Sequence, residues 1–277
     1  MTKFLFITCL TPKHLLTPLR KDLFNLYLKA LKAQTYTGWE AVLLGEENKE
    51  DGKIKYLKAK TITKEDKLQE AYAYLQQLQE KPNYIIRIDD DDLISPVILQ
   101  KIVNGKKEID CYSDFHNVLY NLYNGKMAHE AYSWMPSTIA MKYKDAVTPI
   151  DYFNNLPLFA CDHDVVYHKF YSNKKVQYSE KNSPVYMRII SPTCLTLSQL
   201  TAEKKIEFGD FTKTLGYFEF DHLNDFEPFK NDLYSLAKRH FNQDIQPNFS
   251  PVSKIINKTQ HKITNLSKRV LRKIRKK

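Results

Sequence analysis

Four consecutive aspartates, Asp89–Asp92, follow an apolar run, Tyr84–Ile88, that reads as a buried strand. Asp89 and Asp91 stand two apart, so on an extended backbone both would face the same side. Unit charges about 4 Å apart repel by roughly 1–4 kcal/mol between water-like and surface dielectric. Such carboxylates need a cation, a proton or wide solvation. A hard divalent ion, Mg²⁺ or Mn²⁺, meets that need and leaves coordination positions for a diphosphate. The plainer alternative is a solvated acidic turn capping the next helix. Capping accounts for one aspartate at most, and Ser95 is already placed to cap that helix.

A second acidic pair, Asp162 and Asp164, brackets His163 just before Val165, Val166 and Tyr167. By spacing alone this reads as a helix cap. Cys161, His163 and His168 supply one thiolate and two imidazoles, an incomplete zinc set. The two histidines are five apart and would not share a helix face. Tyr132 and Trp134 could stack on the apolar face of a sugar, although an aromatic is more often core.

The elements that must position these groups alternate along the chain. Phe4–Leu10, Ala41–Leu44, Ile54–Leu57 and Tyr84–Ile88 are short apolar runs with strand character. Leu16, Leu19, Leu23, Leu26, Tyr27, Ala30 and Leu31 recur at helical spacing, and Leu68–Leu78 forms a second amphipathic stripe. Ser95-Pro96 predicts an N-cap and first-turn proline for a helix running to about Val103. Further short strands are expected at Ile109–Ser113, Ser137–Met141 and Lys175–Ser179, with a helix from about Asp164. Such alternation predicts a mostly parallel sheet with helices on both faces, whose ligands sit beyond the carboxyl ends of the strands.

The 277 residues are 43% hydrophobic and 13% aromatic, enough for a sizeable core. Only 7 are glycine, and no GxGxxG or GxxxxGK[ST] pattern occurs, which excludes a P-loop ATPase and a glycine-fingerprint dinucleotide fold. Cys9, Cys111, Cys161 and Cys194 form no CxxC pair and point to a reducing compartment. Phe4–Leu10 is short for a signal peptide, and no stretch approaches the ~20 apolar residues of a spanning helix. A soluble, cytoplasmic chain is expected.

The net charge of +10 is concentrated at one end. Residues 253–277 hold ten basic residues and no acid, and without them the 32 remaining cations balance 32 acids. Ile263, Leu266, Val270 and Ile274 form an apolar stripe among these cations, the pattern of a helix lying on an anionic membrane surface. That reading is preferred to a solubilising tail, a docked helix or a nucleic-acid arm.

Three segments resemble the GT-A-fold glycosyltransferases, especially family 2. Gln34–Leu44 resembles the family's "QTYxNWExxxV", Tyr84–Pro96 its "YIxxLDxDDxxxP", and Asp162–Val166 its "(E)DxDL", in the family's order. The four-aspartate form also resembles rhamnosyltransferase-like members. The resemblance spans about residues 4–200 and implies a three-layer α/β/α domain over residues 1–215; beyond it, residues 216–252 read as a helical extension and the basic tail covers 253–277. It implies a nucleotide-sugar donor, Mn²⁺ or Mg²⁺, and inversion of the transferred sugar. The acceptor would be a glycan or lipid-linked glycan of bacterial surface polysaccharide or lipopolysaccharide synthesis. By position, Asp89 would meet ribose or metal and Asp91 the metal, with Asp90 and Asp92 as alternatives if the register slips by one. Thr8 and Thr11 would lie beside the nucleotide, and Glu46 would stand for the aspartate that reads the base. Lys64 and Arg188 would meet phosphates. Asp162, with Asp164 second, would be the base taking the acceptor hydroxyl's proton. Leu44-Gly45-Glu46-Glu47-Asn48 replaces the usual "VDDGS", Lys67 replaces a glycine, and Cys161 replaces a glutamate. A sugar-phosphate nucleotidyltransferase is disfavoured because Thr8–Lys13 contains no glycine. A non-enzymatic protein acting through its tail would bind lipid or nucleic acid in a salt-sensitive way.

Overall fold

A computed structural model describes residues 1–61, 63–105, 108–125, 127–132, 139–150, 155–161, 165–180, 183–194 and 224–242. Eight strands form the main sheet: β1 (Phe4–Cys9), β2 (Trp39–Gly45), β3 (Lys49–Asp51), β4 (Ile54–Lys58), β5 (Tyr84–Arg87), β7 (Cys111–Ser113), β10 (Ala140–Lys142) and β13 (Val176–Tyr178). Their spatial order is β13-β7-β10-β5-β1-β2-β4-β3. β10 pairs antiparallel with both neighbours, and β3 pairs antiparallel with β4; the other pairings are parallel. This is the mostly parallel α/β sheet that the alternation predicts.

Alternate residues on the inner strands pack on opposite faces. Leu5, Ile7, Val42, Leu44 and Ile85 join one apolar cluster with Leu68, Ala71 and Leu75 of α2 (Lys64–Gln77) and Val166, Tyr167 and Tyr171 of α5 (Val165–Tyr171). Phe4, Phe6, Ala41, Leu43 and Ile86 join another with Tyr27 and Leu31 of α1 (Pro18–Lys32) and Ile98, Leu99 and Ile102 of α3 (Ile98–Asn104). Burial on both faces explains why these strands read as continuous apolar runs rather than alternating ones. Gly38 allows the chain entering β2 to pass close to β1, since a Cβ there would lie 2.6 Å from the Thr2 carbonyl oxygen.

A second sheet has the order β6-β14-β8-β9, formed by β6 (Leu93–Ile94), β8 (His116–Asn121), β9 (Met127–Tyr132) and β14 (Tyr186–Ile190). β6 continues directly from the acidic run and pairs with β14. The pairing keeps residues 93–94 extended and delays α3. That helix therefore begins at Ile98 rather than at Ser95-Pro96. The Ser95 hydroxyl accepts from the Val97 N–H (3.2 Å) and donates to Asp225 (2.8 Å) instead of capping the helix. Between the sheets' elements lie α4 (Tyr143–Ala146) and the short ribbon of β11 (Pro149–Ile150) and β12 (Leu156–Pro157).

Near the C-terminus of the described residues, a 3-10 turn (Asn224–Phe229) leads into α6 (Lys230–Phe241). Phe226, Phe229, Leu233 and Leu236 pack with Leu19, Leu23 and Leu26 of α1 and with Val118, Tyr120, Met187 and Ile189 of the second sheet. Lys29–Asp232 (2.7 Å) and Asp22 with Arg239 (2.7 Å) and His240 (2.8 Å) fasten the same helix pair at its rim. This part of the expected extension is built into the body's third core. The basic tail lies outside the described residues, and among those described no helix is long and apolar enough to cross a membrane.

Candidate active site

The carboxyl ends of β1, β2, β4 and β5 share one edge of the main sheet, and α1 and α2 both begin there. Thr17 caps α1 by accepting from the Arg20 N–H (3.2 Å), and Thr63 caps α2 by accepting from the Asp66 N–H (3.2 Å). The positive ends of two helix dipoles thus face the edge where the aspartates lie.

β5 stops at Arg87, and the Asp92 N–H approaches the Asp89 carbonyl (3.4 Å), so Asp89–Asp92 is a turn. This corrects the extended reading that put Asp89 and Asp91 on one side. The four carboxylates fan out to different elements. Asp89 accepts from Lys64 Nζ of α2 (2.6 Å). Asp90 accepts from the N–H (2.6 Å) and Oγ1 (3.1 Å) of Thr11 and from Arg20 (3.3 Å). Asp91 is ion-paired with Arg20 of α1. Asp92 accepts from the Tyr186 hydroxyl (2.5 Å) and the Ile189 N–H (2.9 Å), which ties the turn to β14.

Their electrostatics differ as sharply. Asp90, Asp91 and Asp92 are buried, whereas the Asp89 side chain keeps 26% of its surface exposed. Burial opposes ionisation of Asp89, but the positive charges of Lys64, Arg87 and Arg188 outweigh it and hold the carboxyl well below its usual range. Burial and the neighbouring Asp92 push Asp91 well up, against the pull of Arg20. Burial also raises Asp92, to about 6, although Arg188 and the Tyr186 and Ile189 donors oppose the shift. Arg188 is itself driven upward: burial works against its charge, but Tyr186, Asp92 and Asp89 more than compensate. The acidic turn is therefore surrounded by three arginines, Arg20, Arg87 and Arg188, and by Lys64.

Of the other residues singled out in the sequence, Thr11, Lys64 and Arg188 converge on this turn. Thr8 does not reach this turn. It is fully buried, with its hydroxyl 2.5 Å from that of Tyr27, because its position on β1 points into the α1 side of the sheet. Glu46 is exposed after β2 and accepts from the Lys13 N–H (2.6 Å), so it pins the loop following β1. Asp162, His163, Asp164 and Trp134 lie outside the described residues, as does the side chain of Tyr132 on β9.

Four residues of the site went unassigned in the sequence. Arg20 lies between the apolar positions Leu19 and Leu23 of the first amphipathic stripe. Its signal was electrostatic: α1 has no acid in its first turn, and a cation at a helix N-terminus opposes the dipole unless an anion meets it. Arg87 donates from Nη1 to the carbonyls of Phe159 (2.8 Å) and Cys161 (3.2 Å), linking the acidic strand to the chain that leads into Asp162. Tyr186 holds Asp92. Lys67, 1% exposed, donates to the Leu10 carbonyl (2.8 Å) and supports the loop after β1 from below.

Among the described residues no three His, Cys, Asp or Glu side chains are grouped to hold a metal ion. The expected set of Asp89, Asp91 and Asp92 is not assembled, because the turn sends Asp91 to Arg20 and Asp92 to β14. Asp89 remains as the accessible carboxylate. That arrangement suits Mg²⁺ or Mn²⁺ carried in on a diphosphate, since such ions are held by one or two carboxylates plus phosphates and water rather than by a protein cage.

No protein-family model matches the chain, and no curated protein matches it. Among solved structures it is similar to TarS 1–349 from S. aureus, at 12% identity over 86% of this chain and 74% of that one, with a TM-score of 0.44. It is also similar to the glycosyltransferase GlyE from Streptococcus pneumoniae TIGR4 (9% identity, 79% and 65% coverage, TM-score 0.38). A third is the galactosyltransferase LgtC bound to donor and acceptor sugar analogs (9% identity, 82% and 99% coverage, TM-score 0.35). Likenesses this distant give no residue a role, and the chemistry of the site stands on its own geometry.

Proposed function

We propose that the chain is a glycosyltransferase that moves a sugar from a nucleotide-sugar donor to a glycan acceptor. The observation that carries this reading is Asp89, partly exposed and held ionised at the carboxyl edge of a parallel sheet, with Lys64, Arg87 and Arg188 around it. A nucleoside diphosphate needs that combination: cations for its phosphates and a carboxylate for the divalent ion that travels with it. The ordered resemblance of the three sequence segments supports the same assignment.

In this reading Lys64 and Arg188 draw the diphosphate to the sheet edge, and Thr11, fixed by Asp90, shapes the wall beside it. Asp89 would hold Mg²⁺ or Mn²⁺, which supplies charge neutralisation for the departing diphosphate. The base for the acceptor hydroxyl is proposed to be Asp162, with Asp164 as second candidate; a single base fits transfer with inversion. Tyr132 and Trp134 are proposed to stack on the acceptor sugar. The cationic, apolar-striped tail supports placement at the inner face of the cytoplasmic membrane, and with it a lipid-linked acceptor in surface polysaccharide synthesis.

A thermal-shift series with UDP, GDP, CDP and dTDP, each with and without Mn²⁺, tests the core of this proposal. One nucleotide should raise Tm by several degrees, and more strongly with the ion. Indifference to all four, with or without Mn²⁺, would remove it.

A further inference from the structure

We infer that Arg20 is a resident counter-cation of the acidic turn. It occupies the position between Asp90 and Asp91, holds both against the loop after β1, and leaves Asp89 to meet a divalent cation that arrives on a diphosphate. Three contacts on two loops carry the inference. From one guanidinium, Nη1 pairs with Asp91, while Nη2 donates to Thr11 Oγ1 (2.6 Å) and reaches Asp90 (3.3 Å). The side chain is 16% exposed, so this pairing is made inside the protein, where screening is weak. Arginine suits the position because its planar fork can serve two carboxylates and a hydroxyl at once.

The helix that carries Arg20 has little freedom to withdraw it. Thr17 caps α1 at the Arg20 N–H, and Leu19 and Leu23 flank it in the core shared with Leu233 and Leu236 of α6. The C-terminal helix therefore supports the site indirectly, by fixing the helix that supplies the cation.

A site with its own cation binds free metal poorly. Arg20 already occupies the position between Asp90 and Asp91, so a divalent ion without phosphate finds only Asp89, itself paired with Lys64. Removing the guanidinium leaves two adjacent buried carboxylates without a counter-cation, and a divalent ion then becomes their best partner. The sign of the effect is unusual: deleting a side chain at the site should create metal affinity.

The test is Mn²⁺ binding to the full chain, followed by electron paramagnetic resonance without nucleotide, for wild type, R20M and R20K. R20M should bind free Mn²⁺ at least tenfold more tightly than wild type, and R20K, which restores the charge without the fork, should fall between them. Unchanged or weaker Mn²⁺ binding in R20M overturns the inference. If R20M does not fold, R20K carries the test, and equal affinity in R20K and wild type overturns it. A parallel measure uses thermal unfolding of R20K, D91N and the double variant: non-additive Tm losses are expected, and additive losses would count against the pairing.

The diphosphate part of the inference rests on the glycosyl-transfer reading, but the Mn²⁺ and Tm measurements do not. Should no nucleotide shift Tm while R20M gains Mn²⁺ affinity, the proposed function fails and the role of Arg20 stands.

Discussion

Two strands of the main sheet end in buried acid, and they are partnered in opposite ways. β5 leads into Asp89–Asp92, of which Asp89, Asp90 and Asp91 are met by the long cationic side chains of Lys64 and Arg20, reaching in from α2 and α1. β7, parallel to β5 across β10, leads into Asp114. Among the described residues, Asp114 is met by neutral donors: Ser179 Oγ (2.7 Å) and the N–H groups of Val185 (2.8 Å) and Tyr186 (2.8 Å). Burial pushes the Asp114 carboxyl up to about 7, although those three donors and the charge of Lys101 favour the ionised form. The backbone donors are fixed by strand pairing, so Asp114 is a knot between β7, β13 and β14. The half-exposed Lys64 ammonium can turn from Asp89 to a phosphate, which makes the Asp89 end of the turn exchangeable while Arg20 stays resident.

The largest effect that could break this contrast is at Asp89. Asp89→Ala should reduce turnover of any accepted donor by on the order of 100-fold or more, the scale of losing one preorganised charge in an active site. Stability should also fall, because Asp89 balances Lys64, Arg87 and Arg188, but by far less than turnover. Steady-state turnover and urea unfolding of the same preparation measure both. A variant that unfolds readily but turns over normally when folded would place Asp89 with Asp114 among the structural knots.

Asp114→Asn should show the reverse. Asparagine keeps one carbonyl oxygen but sets an amide N–H₂ against a donor, so either the Tyr186 N–H or the pair from Ser179 and Val185 loses its acceptor. A buried donor left without an acceptor costs about 1–3 kcal/mol. The urea midpoint should fall accordingly while donor turnover per folded molecule is retained. A loss of turnover without a loss of stability would mean that the β7 end also belongs to the chemistry.

The same contrast explains what the sequence could reveal. β1, β2 and β5 were legible because burial on both faces makes their composition continuous and apolar, and β4 because its buried Ile54 and Tyr56 alternate with less buried residues. α1 and α2 were legible because one face of each meets the sheet and keeps helical spacing. The second sheet was not legible. β6 has two residues, β14 interrupts its apolar run with Arg188, and their pairing joins Ile94 to Tyr186, far apart in the chain. No local pattern announces such a contact. The acidic run itself was plain, but its geometry was not: an extended spacing rule fails where the strand has ended, and the partners of a turn are chosen by tertiary structure. Arg20 carried a signal in its place at the start of a helix without first-turn acids, yet the identity of its anion required the fold.

A third carboxylate, Asp22, sharpens the comparison with the smallest effect. It lies on α1 and pairs with Arg239 and His240 of α6, at the rim rather than in the core. Partial burial disfavours its charge, but the hydrogen bonds and charges of His240 and Arg239 outweigh that and hold its carboxyl below the usual range. A folded-state pKa below the unfolded value of about 3.9 means that the native state binds fewer protons there. The stabilisation is therefore present above about pH 4 and lost as pH falls through the folded pKa. Asp22→Asn should cost about 0.5–1 kcal/mol at pH 7 and flatten the acid limb of the stability profile below pH 4. Because the pair is reached by solvent, the cost should shrink in 1 M salt, where the screening length is about 3 Å. The cost of Asp114→Asn, set by neutral hydrogen bonds in the interior, should not. Unfolding midpoints for both variants at low and high salt, across pH 3 to 7, check the distinction. Equal salt sensitivity at the two positions would undo the separation between exchangeable ionic partners and fixed neutral ones.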